Sequence, residues 1–565
     1  MDSPRLKQEG WLYGLAFFLA LGLRLFRLGA LPLTDAEAQW ALQAWQLAQG
    51  KHPLLGSQVA YLVPAAFFFF VFGSFNFFAR LAPALSGSAL VWLPWLFRRQ
   101  LKPRPALILA FGLALEPGLL ALSRQAGSPI LAITFLLFAW GFWEQNRPRP
   151  AGIFAALALL SGPAFWAGLL GLGITWAIRQ GVESRPAGES AAGPAAKRPD
   201  WTEALKSGLP VLILGSSLFF LSPNGLSAWL NALPEYLSGW SRPTGVGALR
   251  LFLALLIYQP FAVVFAALAI GRGWRRDGGR ILRLTLWLFV ALALAVFYPA
   301  HQVSDLGWPL LPLWALAALG VAPYLRLERA SRREAAGVAG FTVFLLLFAW
   351  LDLTGLLWTP SPSPQASLRW VLLVGALLLL LVSLLLIAAG WSGQIARYGA
   401  AWGLLVVLGM YTLSAAWNAA ELRQPPAPEL WTPGARPLQA DLLLQSVNDL
   451  SDWDQGHRFA LPVTINGVDS PALQWLLRDH VVERVEHLVP TATPALLITP
   501  AQVNPGLEAA YRGQDFTWRA QVDWGILQPL DWLRWIALRS LPTSGETILL
   551  WARQDVFLGS THPTP

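Results

Sequence analysis

Two carboxylates, Asp35 and Glu37, stand two positions apart in the stretch LPLTDAEAQW, just beyond an apolar run from 11 to 29. An acid so placed can take a proton from an incoming hydroxyl or amine, while its neighbour tunes its acidity or shares a divalent ion. The same residues also describe a helix start. Thr34-x-x-Glu37 has the form of a capping box, and Asp35 suits the positive end of a helix running from about 37 to 49. Local sequence leaves both readings open, and they are compatible in part. Other familiar chemistry is missing. Cysteine is absent, which removes thiolate nucleophiles, disulfides and zinc–thiolate sites. No Ser/His/Asp arrangement, phosphate-cradling glycine loop or His-x-x-x-His pair is present.

The elements that must position this acidic pair are set by composition. Of 565 residues, 55% are apolar and 13% charged, against roughly 25% charged in soluble proteins; a soluble globular enzyme is excluded. Stretches such as 367–390 and 398–418 reach the roughly 20 apolar residues that cross a bilayer. Spans are expected near 11–29, 83–97, 106–122, 129–143, 151–162 with 163–179, 208–222, 251–270, 281–297, 309–325, 338–357, 367–390 and 398–418. The Ser161-Gly162-Pro163 interruption marks a broken or short helical hairpin. Counting that hairpin twice gives about thirteen crossings.

Arg/Lys-rich loops (98–104, 147–149, 180–206, 272–283 and 326–333) then alternate onto one side, the cytoplasm. This threading predicts a multi-pass plasma-membrane protein with a cytoplasmic N-terminus and an extracytoplasmic tail. The charge split agrees: residues 419–565 sum to −6 and the remainder to +15. The positive residues sit in short inter-span loops, so nucleic acid is not implied as a partner. Segment 182–200, rich in Ala, Gly, Pro and charge, reads as a mobile cytoplasmic loop.

The chain divides into a membrane domain, 1–420, and a tail, 421–565. Within the first, an outward loop of about fifty residues (30–82) is far longer than a connection requires. Its segment 58–72 is too short to span comfortably and is expected along the outer interface. The tail opens on QPPAPELWTPGARP. It then alternates helical patterns (438–450, 470–479, 528–540) with strand-like runs (458–465, 495–499, 516–522, 547–552), which predicts a small α/β domain.

The order Arg-x-x-Arg-Leu-Gly, an acidic pair in Glu-Ala-x-aromatic-Ala, His-Pro-Leu, Phe-Gly, and Ala-Arg-Leu-x-Pro-Ala-Leu-x-Gly over residues 20 to 100 resembles the opening module of the GT-C glycosyltransferases. More narrowly it is similar to the protein mannosyltransferase and aminoarabinose transferase group. Through about 325 the likeness is one of topology, together with LLSGPAFWAGLLG and WPLLPLWALAALG. The resemblance implies a polytopic enzyme that takes a sugar from a polyprenyl phosphate and delivers it to a lipid, glycan or protein acceptor by inverting displacement. It places the catalytic acid in the first outward loop, hence Asp35 and Glu37.

Departure of the lipid phosphate calls for positive neighbours, and Arg24, Arg80, Arg124 and His301 are the candidates. His52, Glu116 and Asp305 complete the expected substrate-binding set. Family members commonly carry adjacent Asp and Glu; here Glu37 matches the second, Ala36 occupies the first and Asp35 is displaced by one. The second outward loop, Ser123 to Ser128, lacks an acid, so a divalent metal stays unassigned. The rival readings are a transporter or flippase-associated protein for lipid-linked glycans and a catalytically degenerate GT-C scaffold.

Overall fold

Long uncharged runs fold as helices here because in hydrocarbon only an internally hydrogen-bonded backbone is satisfied. The computed structural model describes residues 3–183, 200–220, 224–243, 246–273, 278–325, 329–359 and 363–558. The mobile loop expected at 182–200 falls, from 184 to 199, outside the described residues, as do 274–277 and 326–328 of two basic clusters.

Among the described residues five helical stretches are long and apolar enough to cross a membrane: Asn76–Leu96, Gly279–Phe297, Val303–Leu325, Ser331–Trp358 and Pro364–Ala419. Two further pairs, Pro103–Leu115 with Pro117–Ser123 and Ala248–Tyr258 with Pro260–Gly273, bend by 54° and 86° at their breaks. This is fewer than the thirteen crossings expected, for two physical reasons. Several expected spans are short helices; Ile130–Glu144, at about 1.5 Å per residue, falls short of the roughly 30 Å core. Conversely, Pro364–Ala419 would be about 84 Å long if straight, so it combines the two expected spans 367–390 and 398–418, joined by a π-turn at Ala388–Ser392.

The opening module forms four helices: α1 (Ser3–Leu25), α2 (Asp35–Ala48), α3 (Val59–Phe72) and α4 (Asn76–Ala89). α2 begins where the capping box placed it. The Thr34 hydroxyl accepts from the Glu37 N–H at 3.4 Å, and the Glu37 carboxylate accepts from the Thr34 N–H at 3.0 Å. The hairpin at 151–179 is two helices, Pro148–Leu159 and Pro163–Glu183, separated at Gly162, which adopts a positive φ of 83°.

The tail folds around a five-stranded sheet of order β2-β1-β3-β5-β4. β1 (Val463–Asn466), β2 (Val482–Val485) and β3 (Leu496–Pro500) are parallel, whereas β4 (Tyr511–Gln521) and β5 (Ser544–Arg553) add an antiparallel edge. Register runs Val463 to Val482 and to Leu496, then Leu496 to Ala552. The strand-like runs at 458–465, 495–499, 516–522 and 547–552 become β1, β3, β4 and β5. β2 was not expected, because four half-exposed residues carry little pattern. The domain is keyed into the helical body: Trp535 and Trp431 are buried against Tyr258, and the Gln125 amide donates to the Trp431 carbonyl at 2.7 Å.

Candidate active site

Glu37 has no exposed surface. Arg80, one turn into α4, grips it with both arms of its guanidinium, Nε to Oε1 at 2.7 Å and Nη2 to Oε2 at 2.9 Å. The Ala126 N–H adds a contact at 3.3 Å, and Arg436 of the tail connector lies 3.6 Å away. Burial by itself would push this carboxyl up. The Arg80 charge and hydrogen bonds, with Arg436 and the Thr34 N–H, overcome it and hold the pKa at about 2. Arg80 also donates to the carbonyls of Leu28 (3.1 Å), Leu31 (3.0 Å) and Pro32 (3.1 Å), so it pins the loop entry to α4.

Asp35 points the other way, into the tail. Its Oδ1 accepts from the Ser470 hydroxyl at 2.6 Å and from the Ala472 N–H at 3.0 Å, and its Oδ2 pairs with Arg519 at 2.5 Å. The two carboxylates therefore do not share a ligand. All four oxygens face guanidinium, hydroxyl or N–H donors, a setting that does not fit a divalent ion. Among the described residues no group of three or more His, Asp or Glu is arranged to hold a metal.

The remaining candidates are also engaged. Arg24 is fully buried and donates to Ser123 Oγ (3.1 Å) and to the carbonyls of Ala20, Leu113 and Ala114, closing the break between Pro103–Leu115 and Pro117–Ser123. Glu116, expected in the substrate-binding set, is wholly buried at that break. It caps the following helix through the Gly118 and Leu119 N–H groups, and it accepts from the Gln259 amide, whose oxygen takes the Trp314 N–H at 3.0 Å. Gln259 sits at the break of the second bent pair, so the two breaks are tied to each other. Arg124 donates to carbonyls of Leu23, Arg24, Phe26 and Arg27 at the end of α1. His52 is exposed, and His301 is nearly buried with Nδ1 2.5 Å from the Tyr298 carbonyl. Asp352, toward the C-terminal end of Ser331–Trp358, lies 3.7 Å from Arg369.

Of this set, Asp305 lines a hollow. The hollow measures about 210 Å³ and lies between Gln58 and Gly127 on one side and helices Pro163–Glu183 and Gly279–Phe297 on the other. Its polar end carries Gln58, Glu235, Ser304 and Asp305, and none of its lining residues is Lys or Arg. The rest of its lining is mainly apolar and mixes small residues (Ala164, Ala167, Gly168, Gly171) with the large side chains of Trp287, Leu294 and Trp308. Two glycines shape it. Gly127 has φ +69°, and a Cβ there would meet the Trp40 ring of α2; a Cβ on Gly168 would meet Trp308. Gly127 directly follows Ala126, the residue whose N–H touches Glu37. A second hollow, about 490 Å³, separates the opening module from the tail and is lined by Phe75, Phe77, Trp475 and Trp518 among others. Neither Asp35 nor Glu37 lines either hollow.

Glu235 was missed in the sequence. It has no motif, and the available signal was that it is the one carboxylate between Glu203 and Asp277. It lies on a short helix, Ala232–Ser238, outside every expected span.

No family model matches the chain, and no curated protein matches it. Among solved structures it is similar to ArnT from Cupriavidus metallidurans bound to undecaprenyl phosphate, with a TM-score of 0.56 and 14% identity over 100% of both chains. It is also similar to the apo state of that protein (TM-score 0.48, 15% identity, 84% of this chain and 85% of that one). A third likeness is to the apo oligosaccharyltransferase of Archaeoglobus fulgidus (TM-score 0.43, 12% identity, 84% of this chain and 64% of that one). Along its whole length, then, the chain carries the fold of ArnT, as its sequence resemblance to the GT-C glycosyltransferases implied.

Proposed function

We propose that this chain is an integral membrane glycosyltransferase. It moves a sugar from a polyprenyl phosphate to a lipid, glycan or protein acceptor on the extracytoplasmic side of the plasma membrane, with its N-terminus in the cytoplasm and its tail outside. The observation that carries the proposal is the hollow between Gln58, Gly127 and helix Gly279–Phe297. Its polar lining offers two carboxylates and an amide for a sugar, and the rest is mainly apolar, with Ala and Gly beside the rings of Trp287, Tyr298 and Trp308. Part of the lining, Trp287 to Ala295, belongs to Gly279–Phe297, an apolar helix that is mostly exposed, so the lipid side is near. The sugar and the greasy chain of an amphipathic donor match this division, while the hollow itself supplies no Lys or Arg for the phosphate. The volume, below the roughly 300–1,000 Å³ of drug-sized pockets, suits one sugar ring better than a long glycan. The binding of undecaprenyl phosphate by ArnT, on the same fold, supports a polyprenyl phosphate as the donor.

In this reading Asp35 and Glu37 are positioning residues. Glu37 with Arg80 fixes the start of the outward loop, and through Ala126 it sets the Gly127 wall of the hollow. Asp35 fastens the tail to the same helix start. The engaged state of this pair is the observation that favours the rival reading of an inert scaffold.

The decisive measurement uses the purified protein in liposomes with polyprenyl-phosphate sugars extracted from the source cells, and membranes of those cells as acceptor. Release of free polyprenyl phosphate, with the sugar appearing on a new product, supports the enzyme. Movement of the intact sugar lipid across the bilayer without release supports a transporter. Neither event supports the scaffold.

A further inference from the structure

Glu235 is an exposed residue that lines the hollow and is held through one of its two oxygens. Its Oε2 accepts a hydrogen bond from Ser57 Oγ at 2.6 Å, and Ser57 is 3% exposed. Its Oε1 accepts no hydrogen bond among the described residues. The side chain lines the hollow. The backbone under it is braced: Tyr236 stacks on Tyr298 (5.2 Å, 19°), and the Tyr298 hydroxyl donates to the Tyr236 carbonyl at 3.0 Å. Ser57 adjoins Gln58, whose amide donates to the Gly127 carbonyl at 2.9 Å. The clamp on Glu235 and the wall of the hollow thus come from one rigid turn. Asp305 faces the same hollow, with Oδ2 held by the Gln302 N–H at 2.8 Å.

A general base needs a lone pair that is accessible, aimed and held. Glu37 is enclosed and Asp35 is bonded on both oxygens, whereas Glu235 and Asp305 each have one oxygen held and the other without a hydrogen bond among the described residues, and Glu235 is the more exposed of the two. We propose that Glu235 is the catalytic base of the transfer, with Ser57 as its positioning residue; the assignment rests on the glycosyltransferase reading above. The acceptor hydroxyl or amine gives its proton to Glu235 Oε1, and its lone pair forms the new bond to the anomeric carbon of the sugar. The bond from that carbon to the lipid phosphate oxygen breaks, and its electron pair leaves on the polyprenyl phosphate. One bond forms, one breaks, and the proton rests on Glu235. Glycosyl transfer places positive charge on the sugar ring in the transition state. A lining with two carboxylates and no Lys or Arg stabilises that charge, and this assigns Asp305 to the ring rather than to the phosphate.

The test is the liposome assay with wild type, E235Q, E235D and S57A, reading free polyprenyl phosphate by mass spectrometry against pH. E235Q is expected to lose on the order of 100-fold or more in kcat with the donor KM unchanged, and E235D to recover part of that loss. S57A is expected to lose roughly tenfold and to move the acidic limb of the pH profile, which loss of a purely structural contact would not do. Turnover by E235Q within threefold of wild type overturns the assignment of Glu235 and leaves the enzyme reading standing. A parallel loss in E235D and E235Q with a raised donor KM also overturns it, since that marks a structural residue. Absence of release by wild type overturns the enzyme reading and this inference with it.

Discussion

Glu37→Gln separates a positioning role from a proton-transfer role. The carboxyl is held at about 2 against an ordinary 4.5, a difference worth about 3 kcal/mol at 1.36 kcal/mol per unit for a group with no solvent exposure. Removing one partner of a buried pair costs roughly 3–5 kcal/mol by the independent measure of leaving Arg80 uncompensated. The two figures agree in size, so Glu37→Gln is expected to destabilise the detergent-solubilised protein by about 3 kcal/mol near neutral pH. Because the folded pKa is depressed, that stabilisation is complete above about 4.5 and is lost as pH falls toward about 2. Denaturant unfolding at a series of pH values should show the gap between wild type and variant constant down to about pH 5 and closing below it. Arg80→Met should cost more than Glu37→Gln, because the carbonyls of Leu28, Leu31 and Pro32 lose their donor as well. A Glu37→Gln gap below about 1 kcal/mol, or one that does not change with pH, refutes the reasoning.

Glu429 in the tail connector titrates with the opposite sign. Burial pushes its carboxyl up to about 7, since Arg539 at 3.7 Å and the Tyr258 hydroxyl only partly offset the loss of water. Its folded pKa exceeds its unfolded one, so stability falls as pH rises from about 4.5 to about 7, and Glu429→Gln should flatten that slope in the same unfolding series. Asp35→Asn should weaken the seat of the tail on α2, read as faster hydrogen exchange around Ser470–Leu473 with the sheet still protected. Its effect on stability should stay near 1 kcal/mol, because the side chain is 29% exposed. Ala167→Phe should fill the hollow and lower transfer at least tenfold through donor KM, while unfolding changes by less than about 1.5 kcal/mol.

The two halves of the chain were legible in the sequence to different degrees. In the tail, short continuous apolar runs mark buried strands, as at Leu496 to Ile498, buried on both faces, and Ile548 to Ala552, where burial alternates, so β3 and β5 announce themselves. In the membrane part, hydropathy shows that helices exist but not where they bend. The breaks at Glu116 and Gln259 are fixed by a hydrogen bond between residues 143 positions apart. No window of local sequence contains such a contact, and Glu116 therefore reads as a substrate-binding candidate until its buried partners are known.

For the site the limit is of a different kind. Spacing located the acidic pair and also supplied its capping box, but spacing cannot tell whether a carboxylate's oxygens are free. Arg80 and Arg519 decide that question, and they come from α4 and β4, 43 residues beyond Glu37 and 484 beyond Asp35. A charge engaged by a guanidinium holds structure, and a charge left open in a hollow can move a proton. Glu235 had only its isolation to mark it in the sequence, because what sets it apart is the buried hydroxyl of Ser57 and the cavity beside it, both assembled by folding. In a chain whose first loop has Ala36 where an acid is usual, the competent carboxylate is better sought among the residues lining the cavity than among those matching the motif. The comparison of E235Q with Glu37→Gln puts this to measurement: the first should lose rate and keep stability, the second should lose stability first.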